Sequence, residues 1–272
     1  MRERNDKQTF PDRETDLFHV HTWRCRHAGG WGDEEYVKEA LALGYTGIWF
    51  SDHAPFPGDP FKNRMSYEEL PEYLASLVEL RGRYEDRIAV HVGLEIEFLP
   101  SFEREGYYQK LNETPEIEFL LLGQHFAKVG DVYSFNLPNE VRERTECGFL
   151  GEAILSGLTS GWFSMLAHPD RIFRFRKEWD PGMTKLSGEI AAAAATAGTA
   201  FELNVHSLAV QNQFRPGFWQ QVPIDAPMVY GFDVHSPTHI ARRWERLSRI
   251  PENWLCRLHE GRPLFESKEA ER

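Results

Sequence analysis

His19-Val20-His21 sets two imidazoles two residues apart. On an extended strand alternate side chains point the same way, so such a pair can reach one metal ion. His27 follows across a loop that holds Cys25 and Gly29-Gly30. Further along, Asp52-His53, Glu95, His125, His168 and Asp233-Val234-His235 each close an apolar run. Taken singly, each reads equally as a satisfied buried histidine or a carboxylate capping a loop. Together, His19, His21, His27, His53, His125, His168 and His235 are seven of the eleven histidines, more than chance would gather at such ends. Imidazole and carboxylate donors suit zinc, manganese or iron, and Glu95, with two oxygens, can bridge two ions.

The segments that must position these residues recur along the chain: Asp16–His21, Gly47–His53, Val90–Glu95, Phe119–His125, Phe163–His168, Ala200–Asn204 and Met228–His235. Each is strand-like, apolar at first and polar at its end. Helical patterns separate several of them. Asp33 is expected to cap a helix through Tyr36, Val37, Ala40 and Leu41 that closes at Gly44, and Pro71 precedes Leu74, Leu77, Val78 and Tyr84. A third pattern is Leu150, Ala153, Ile154 and Leu158, and the Ala191–Ala195 run before Gly198 reads as a helix with a glycine cap. Strand alternating with helix predicts an α/β fold with a parallel sheet. An open doubly wound sheet gathers ligands at one crevice, whereas a closed barrel brings the carboxyl ends of all its strands to one face. Polar residues at the ends of nearly all the segments favour the barrel.

The 272 residues admit two small domains or one barrel. With no repeat, linker or composition break, a single domain over 1–272 is expected. Hydrophobic residues at 41% and charged residues at 27% are ordinary for a globular protein, and neither a long apolar run nor a signal-like opening is present. The expected setting is cytoplasmic, with no membrane partner. Cys25, Cys147 and Cys256 are odd in number and widely spaced, which argues against a disulfide framework or a cysteine zinc ribbon. A net charge of −11 opposes long nucleic acid as a partner, although bound metal could make a local cationic site for a phosphate. No phosphate-binding glycine loop or nucleophilic serine elbow competes.

The strings His19-Val-His-Thr-Trp-Arg-Cys-Arg-His-Ala, Ser51-Asp-His-Ala-Pro-Phe-Pro, Gly93-Leu-Glu-Ile-Glu-Phe-Leu-Pro, Gly123-Gln-His-Phe, Ala167-His-Pro-Asp and Gly231-Phe-Asp-Val-His, in that order, resemble the PHP (polymerase and histidinol phosphatase) family, most closely its histidinol-phosphatase branch. The resemblance implies a distorted seven-stranded (β/α)7 TIM-like barrel with about three divalent metal ions. It implies His19, His21, Glu95 and Asp233 at one metal, Glu95, His125 and His168 at a second, and His27, His53 and His235 at the third. It also implies hydrolysis of a small phosphomonoester, first among them L-histidinol phosphate, to L-histidinol and phosphate. A metal-bridging hydroxide held by Glu95 and its metals is the expected nucleophile, because bound metals lower the pKa of water and neutralise phosphoryl charge. The alternative is a phosphodiesterase, a nuclease or a phosphatase acting on nucleotides or other small phosphate esters.

Around this set, Asp52 either orients a neighbouring imidazole or caps the next loop. His206 either faces the substrate or is a loop histidine, and His91, His239 and His259 are assigned to structure or surface. The branch resembled here carries an arginine for substrate phosphate where this chain has Ala209. Arg171 and Arg215 are the candidates to replace it, because guanidinium pairs well with phosphate oxygens; otherwise each is a solvated surface cation.

Overall fold

The computed structural model describes residues 10–265. Seven parallel strands close into a barrel: β1 (Asp16–Val20), β2 (Gly47–His53), β3 (Ala89–Ile96), β4 (Phe119–Leu122), β7 (Met165–Leu166), β8 (Ala200–Asn204) and β9 (Met228–Val234), with β9 pairing back to β1. The strands β5 (Lys128–Val129) and β6 (Val132–Tyr133) form a separate antiparallel hairpin after β4. The seven-stranded α/β barrel read from the sequence is the fold observed. Its distortion shows at β7, whose ladder shrinks to two residues.

The helices lie between the strands: α1 (Asp33–Ala42), α2 (Leu70–Tyr84), α3 (Pro100–Arg104), α4 (Tyr107–Glu113), α5 (Asn139–Ser160), α6 (Pro181–Ala197), α7 (Pro216–Trp219), α8 (Ile240–Ser248) and α9 (Trp254–His259). Local chemistry sets their ends. The Asp180 carboxylate accepts from Met183 N (2.9 Å), Pro181 opens α6, and Gly198 closes it at φ 64°, a left-handed conformation that glycine takes without a Cβ clash. At α1 the expected cap is displaced by one residue. Gly32 is the cap, its N–H donating to Glu35 Oε2 (2.6 Å), because the Asp33 carboxylate is held by Arg24 Nη1 (2.8 and 2.9 Å) and Ser76 Oγ (2.7 Å). Arg24 also forks onto Glu72 of α2 (2.8 and 2.9 Å), so one buried guanidinium ties the loop after β1 to two helices.

Alternation along the strands sorts side chains into two apolar sets. Leu17, Ile48, Phe50, Val92, Leu94, Leu120, Phe201 and Phe232 pack outward against the helices, while Phe18, Trp49, Phe119, Leu121, Met165, Ala200 and Val229 fill the lumen. Trp49 stacks on His91 (4.0 Å between centroids), whose Nδ1 meets Glu118 (2.7 Å) at that end of the barrel. No helix among the described residues is long and apolar enough to cross a membrane.

Candidate metal centre

Above the apolar filling, the inward positions turn polar. Their placement depends on two local departures from regular strand. In β1 the ladder slips between Phe18 and Val20, and His19 has φ 67°. A straight strand that kept Phe18 in the lumen would turn His19 toward the helices; the bulge turns it inward while Val20 rejoins the outer core. His19 and His21 therefore do converge, Nε2 to Nε2 3.0 Å, but through a bulge and not by simple alternation. His168 (φ 29°) and Asp233 (φ 51°) are also left-handed. Three of the nine expected ligands thus hold a backbone that costs about 1 to 3 kcal/mol each, strain of the kind found at functional sites.

The second departure is missing side-chain bulk. A Cβ on Gly123 would overlap the Glu95 carboxylate, and one on Gly231 would overlap that of Glu202. Both carboxylates occupy space that only glycine leaves open, Gly123 just past the end of β4 and Gly231 within β9.

Glu95, at 1% exposure, is the hub. Its Oε2 lies 3.0 Å from His53 Nδ1, 3.4 Å from His19 Nε2 and 3.6 Å from His21 Nε2, and its Oε1 lies 2.8 Å from His168 Nε2 and 3.4 Å from His125 Nε2. Asp233 Oδ1 is 3.5 Å from both His21 Nε2 and His235 Nδ1. Among the described residues, donor atoms within 4.8 Å of one another fall into five groups: His19-His21-Asp233, His19-Glu95-His168, His53-Glu95-His125, His21-His53-His235 and Cys25-His27-His235. All nine expected residues are included. The grouping differs from expectation in three ways. His19 joins Glu95 and His168 as well as His21 and Asp233. His53, paired directly with Glu95 across β2 and β3, joins Glu95 and His125 as well as His21 and His235. Cys25 joins the exposed His27, although burial first, and Asp52 next, push its thiol up to about 12, so it is a thiol and a weak donor.

The electrostatics fit cation binding. Burial works against ionisation of Glu95, yet His125, His19 and His53 hold its pKa well below the usual carboxylate value, and Asp233 is likewise held low, chiefly by His21. Burial lowers His53 to about 3 and His235 to about 2, with the charge of His21 adding to both, and it also lowers His125. These imidazoles are neutral, the form that binds metal. His21 is raised to about 9 against the effect of burial by Asp233 and Asp52, and His19 well above its usual value by Glu202 and Glu95. Protons on this pair would leave when a metal binds. The buried nitrogens His21 Nδ1, His53 Nδ1 and His235 Nε2 make no aligned hydrogen bond among the described residues, although Asp52 stands 3.5 Å from the first and Glu95 3.0 Å from the second. Orphaned imidazole nitrogens in a single His21-His53-His235 group are what a metal ion would satisfy.

Three carboxylates brace the ring from behind. Asp52 accepts from Thr22 N (3.1 Å), from the Thr22 hydroxyl and from His53 N (2.9 Å), and its Oδ1 stands 3.5 Å from His21 Nδ1, so it both fixes the loop and faces an imidazole. Glu202 meets His19 Nδ1 at 2.5 Å and accepts from His168 N at 2.8 Å. Glu97 meets His125 Nδ1 at 3.0 Å and is forked by Arg64 (2.9 and 3.0 Å). Sequence reasoning named Asp52 and missed Glu202 and Glu97. A period-two signal was available: Glu97 follows Glu95 by two residues, and Glu202 precedes Asn204 by two.

Of the three substrate-binding candidates, two lie near the cluster. Arg171 follows His168 on the next turn, close enough to lower the pKa of His125 and His206, and its guanidinium has no hydrogen-bond or ion-pair partner among the described residues. His206, half-buried, lies within electrostatic reach of Asp233 and His168. Arg215 is otherwise engaged and needs correction. Its Nη1 donates to Arg176 O (2.7 Å), it stands over the Trp179 ring, and it lines a pocket of about 490 Å³ with Lys177 and Trp179 that includes none of the nine. Ala209 is exposed on a short turn and offers no cation.

The PHP domain family model matches residues 18–206, which leaves Asp233 and His235 outside the matched span. A Deinococcus radiodurans protein named "Probable histidinol-phosphatase" is 27% identical over 241 residues, covering 83% of this chain and 88% of its own. The histidinol-phosphatase of Bacillus subtilis is 28% identical over 121 residues, 42% of this chain and 45% of its own. Among solved structures, the histidinol phosphate phosphatase HisK of Lactococcus lactis, complexed with zinc, L-histidinol and phosphate, superposes with a TM-score of 0.67 at 20% identity, over 86% of this chain and 91% of its own.

Proposed function

The chain belongs to the PHP domain family, and from that premise we propose that it is a metal-dependent phosphatase of small phosphomonoesters, with L-histidinol phosphate as its first substrate. The observation that carries the reading is the convergence of His19, His21, His27, His53, Glu95, His125, His168, Asp233 and His235 at one end of the barrel, with three buried imidazole nitrogens that make no aligned hydrogen bond among the described residues. The substrate is supported by the names of the Deinococcus and Bacillus relatives and by the ligands of the Lactococcus structure. We take the ions to be about three in number, zinc, manganese or iron, since this donor set accepts all of them. Cys25, Cys147 and Cys256 are free thiols, which suits a reducing cytoplasm.

Bound divalent metal supplies an activated water and neutralises charge on the phosphoryl oxygens. The chain's own residues do the rest. Glu95 offers one oxygen to the His19, His21 and His53 side and the other to the His125 and His168 side, so this one carboxylate would serve as a ligand on both sides of the cluster. Glu202, Asp52 and Glu97 fix the orientation of His19, His21 and His125, and such partners raise ligand basicity. Arg171 brings an unpaired guanidinium to a site whose carboxylates would otherwise repel a phosphate, and it is the side chain we assign to the phosphoryl group.

The test is phosphate release by metal-loaded protein against histidinol phosphate, sugar phosphates, nucleotides and short oligonucleotides. Preferential turnover of histidinol phosphate is expected. Activity on diesters with none on monoesters would overturn the reading in favour of a phosphodiesterase.

A further inference from the structure

His206 enters none of the metal-ligand groups among the described residues, although it lies within electrostatic reach of Asp233, Arg171 and His168. Its contacts explain why. The loop after β8 is folded by Asn204, whose Oδ1 accepts from Ser207 N (2.9 Å), and this sets the His206 ring at the entrance to the short turn 207–209. Arg243 reaches the same ring from α8. Its side chain is buried, its Nη1 donates to the backbone oxygens of Phe232 and Asp233, and its Nη2 lies 3.1 Å from His206 Nδ1.

A guanidinium has five N–H donors and no acceptor, so in this contact Nδ1 can only accept. The ring is then neutral and its proton sits on Nε2. Burial, followed by Arg243 and Arg171 acting against Asp233, also disfavours a second proton. An imidazole with Nδ1 engaged and Nε2 protonated cannot ligate a metal through either nitrogen. It is instead a fixed, uncharged N–H donor. On the adjacent loop, after β7, Arg171 carries the unpaired charge.

We propose that His206 binds substrate through Nε2–H donated to a phosphoryl oxygen, beside Arg171, and that Arg243 is the positioning residue that fixes this tautomer. The inference rests on the phosphomonoesterase reading above, but its test does not need turnover. Arg243 acts twice, since the same guanidinium holds the carbonyl of Asp233 where the backbone is left-handed.

The experiment is long-range 1H–15N correlation of histidine-labelled, zinc-loaded protein, with the His206 signal identified by its loss in His206→Gln, followed by titration with inorganic phosphate. The expected result is a neutral His206 ring protonated at Nε2, with the Nε2 signal moving as phosphate binds. Arg243→Met should give mixed tautomers and Arg243→Lys should partly restore the single one, a rescue that a packing role would not produce. His206→Ala should weaken phosphate binding and raise KM roughly 10- to 100-fold, with kcat changed less, while His206→Gln, which keeps a donor, should recover part of the loss. An Nδ1–H tautomer or an imidazolium in the parent protein overturns the proposal, as does unchanged phosphate affinity in His206→Ala. A phosphate-dependent Nε2 shift in a protein that hydrolyses no phosphomonoester supports the inference and overturns the substrate reading.

Discussion

The two ends of the barrel lumen are built on opposite principles. At the amino-terminal end Phe18, Trp49, Phe119, Met165, Ala200 and Val229 interlock in regular strand conformation, with Phe119 filling the space beside Gly93. Burial of apolar area, at roughly 25 cal/mol per Å², is all that this layer contributes. At the carboxyl end, Glu95, Glu202, His19, His21, His53 and His168 are buried just as deeply but are charged or polar, Asp233, His125 and His235 are half-buried beside them, and His19, His168 and Asp233 hold left-handed backbone. The base thus supplies stability, and the mouth consumes part of it to hold polar and strained residues in place. Substitutions at the two ends should therefore separate stability from function.

The largest separation is expected at Glu95. Glu95→Ala removes the carboxylate shared by both halves of the cluster, and turnover of metal-loaded protein should fall by at least about 10³-fold, ~4 kcal/mol, with metal content falling in parallel. Thermal unfolding of the metal-free form should move far less. Elemental analysis beside kinetics checks this, and a variant that kept both metal and rate would break the distinction from the mouth side. From the base side, Phe119→Ala should cost about 3 to 5 kcal/mol in denaturant unfolding while metal stoichiometry stays that of the parent. Loss of metal without loss of stability there would break it equally.

Glu97 sharpens the comparison through pH. Burial opposes its ionisation, but Arg64 and His125 hold its carboxyl at about 2, below the ordinary value of 4.5. A depressed carboxyl contributes stability that is present above the unfolded value and lost as pH falls toward the folded one, on the order of 3 kcal/mol here. Metal-free protein should therefore lose stability as pH falls from about 4.5 to 2, and Glu97→Gln should flatten that part of the curve. Chemical denaturation across that range measures it, and an unchanged slope would contradict the assignment. The smallest effect is expected for Glu202→Gln, which keeps shape and one hydrogen bond to His19. Metal affinity should weaken about 10- to 100-fold by competition with a chelator, and an unchanged affinity would leave Glu202 as packing only.

Much of the base and part of the mouth were legible in the sequence, for different reasons. Each lumen residue of the base is an apolar residue in an apolar run, so the seven segments could be read without knowing which face was which. Eight of the nine expected ligands stood out because they close those runs, whereas His27 lies on a loop and was marked only by the family resemblance. What was hidden depends on three-dimensional departures that leave no pattern. The bulge that turns His19 inward is one, since the histidine pair looks the same on a straight strand. The space above Gly123 and Gly231 is another, because it matters only once Glu95 and Glu202 are known to be across the ladder. Arg243 shows the limit most plainly: it sits on α8 like any surface arginine in an amphipathic helix, and only the return of that helix to β9 brings it to Asp233 and His206. Arg215 shows the reverse error, an arginine near the right sequence position whose guanidinium is held by Arg176 and Trp179.

The central claim is that one end of the barrel is a metal centre for phosphomonoester hydrolysis. Elemental analysis of the purified protein, with histidinol phosphate turnover followed as metal is chelated and then restored, tests it most directly. About three divalent ions per chain are expected, with activity that vanishes on their removal and returns on their replacement. Full turnover by protein stripped of metal, or a chain that binds no divalent ion at all, would contradict it.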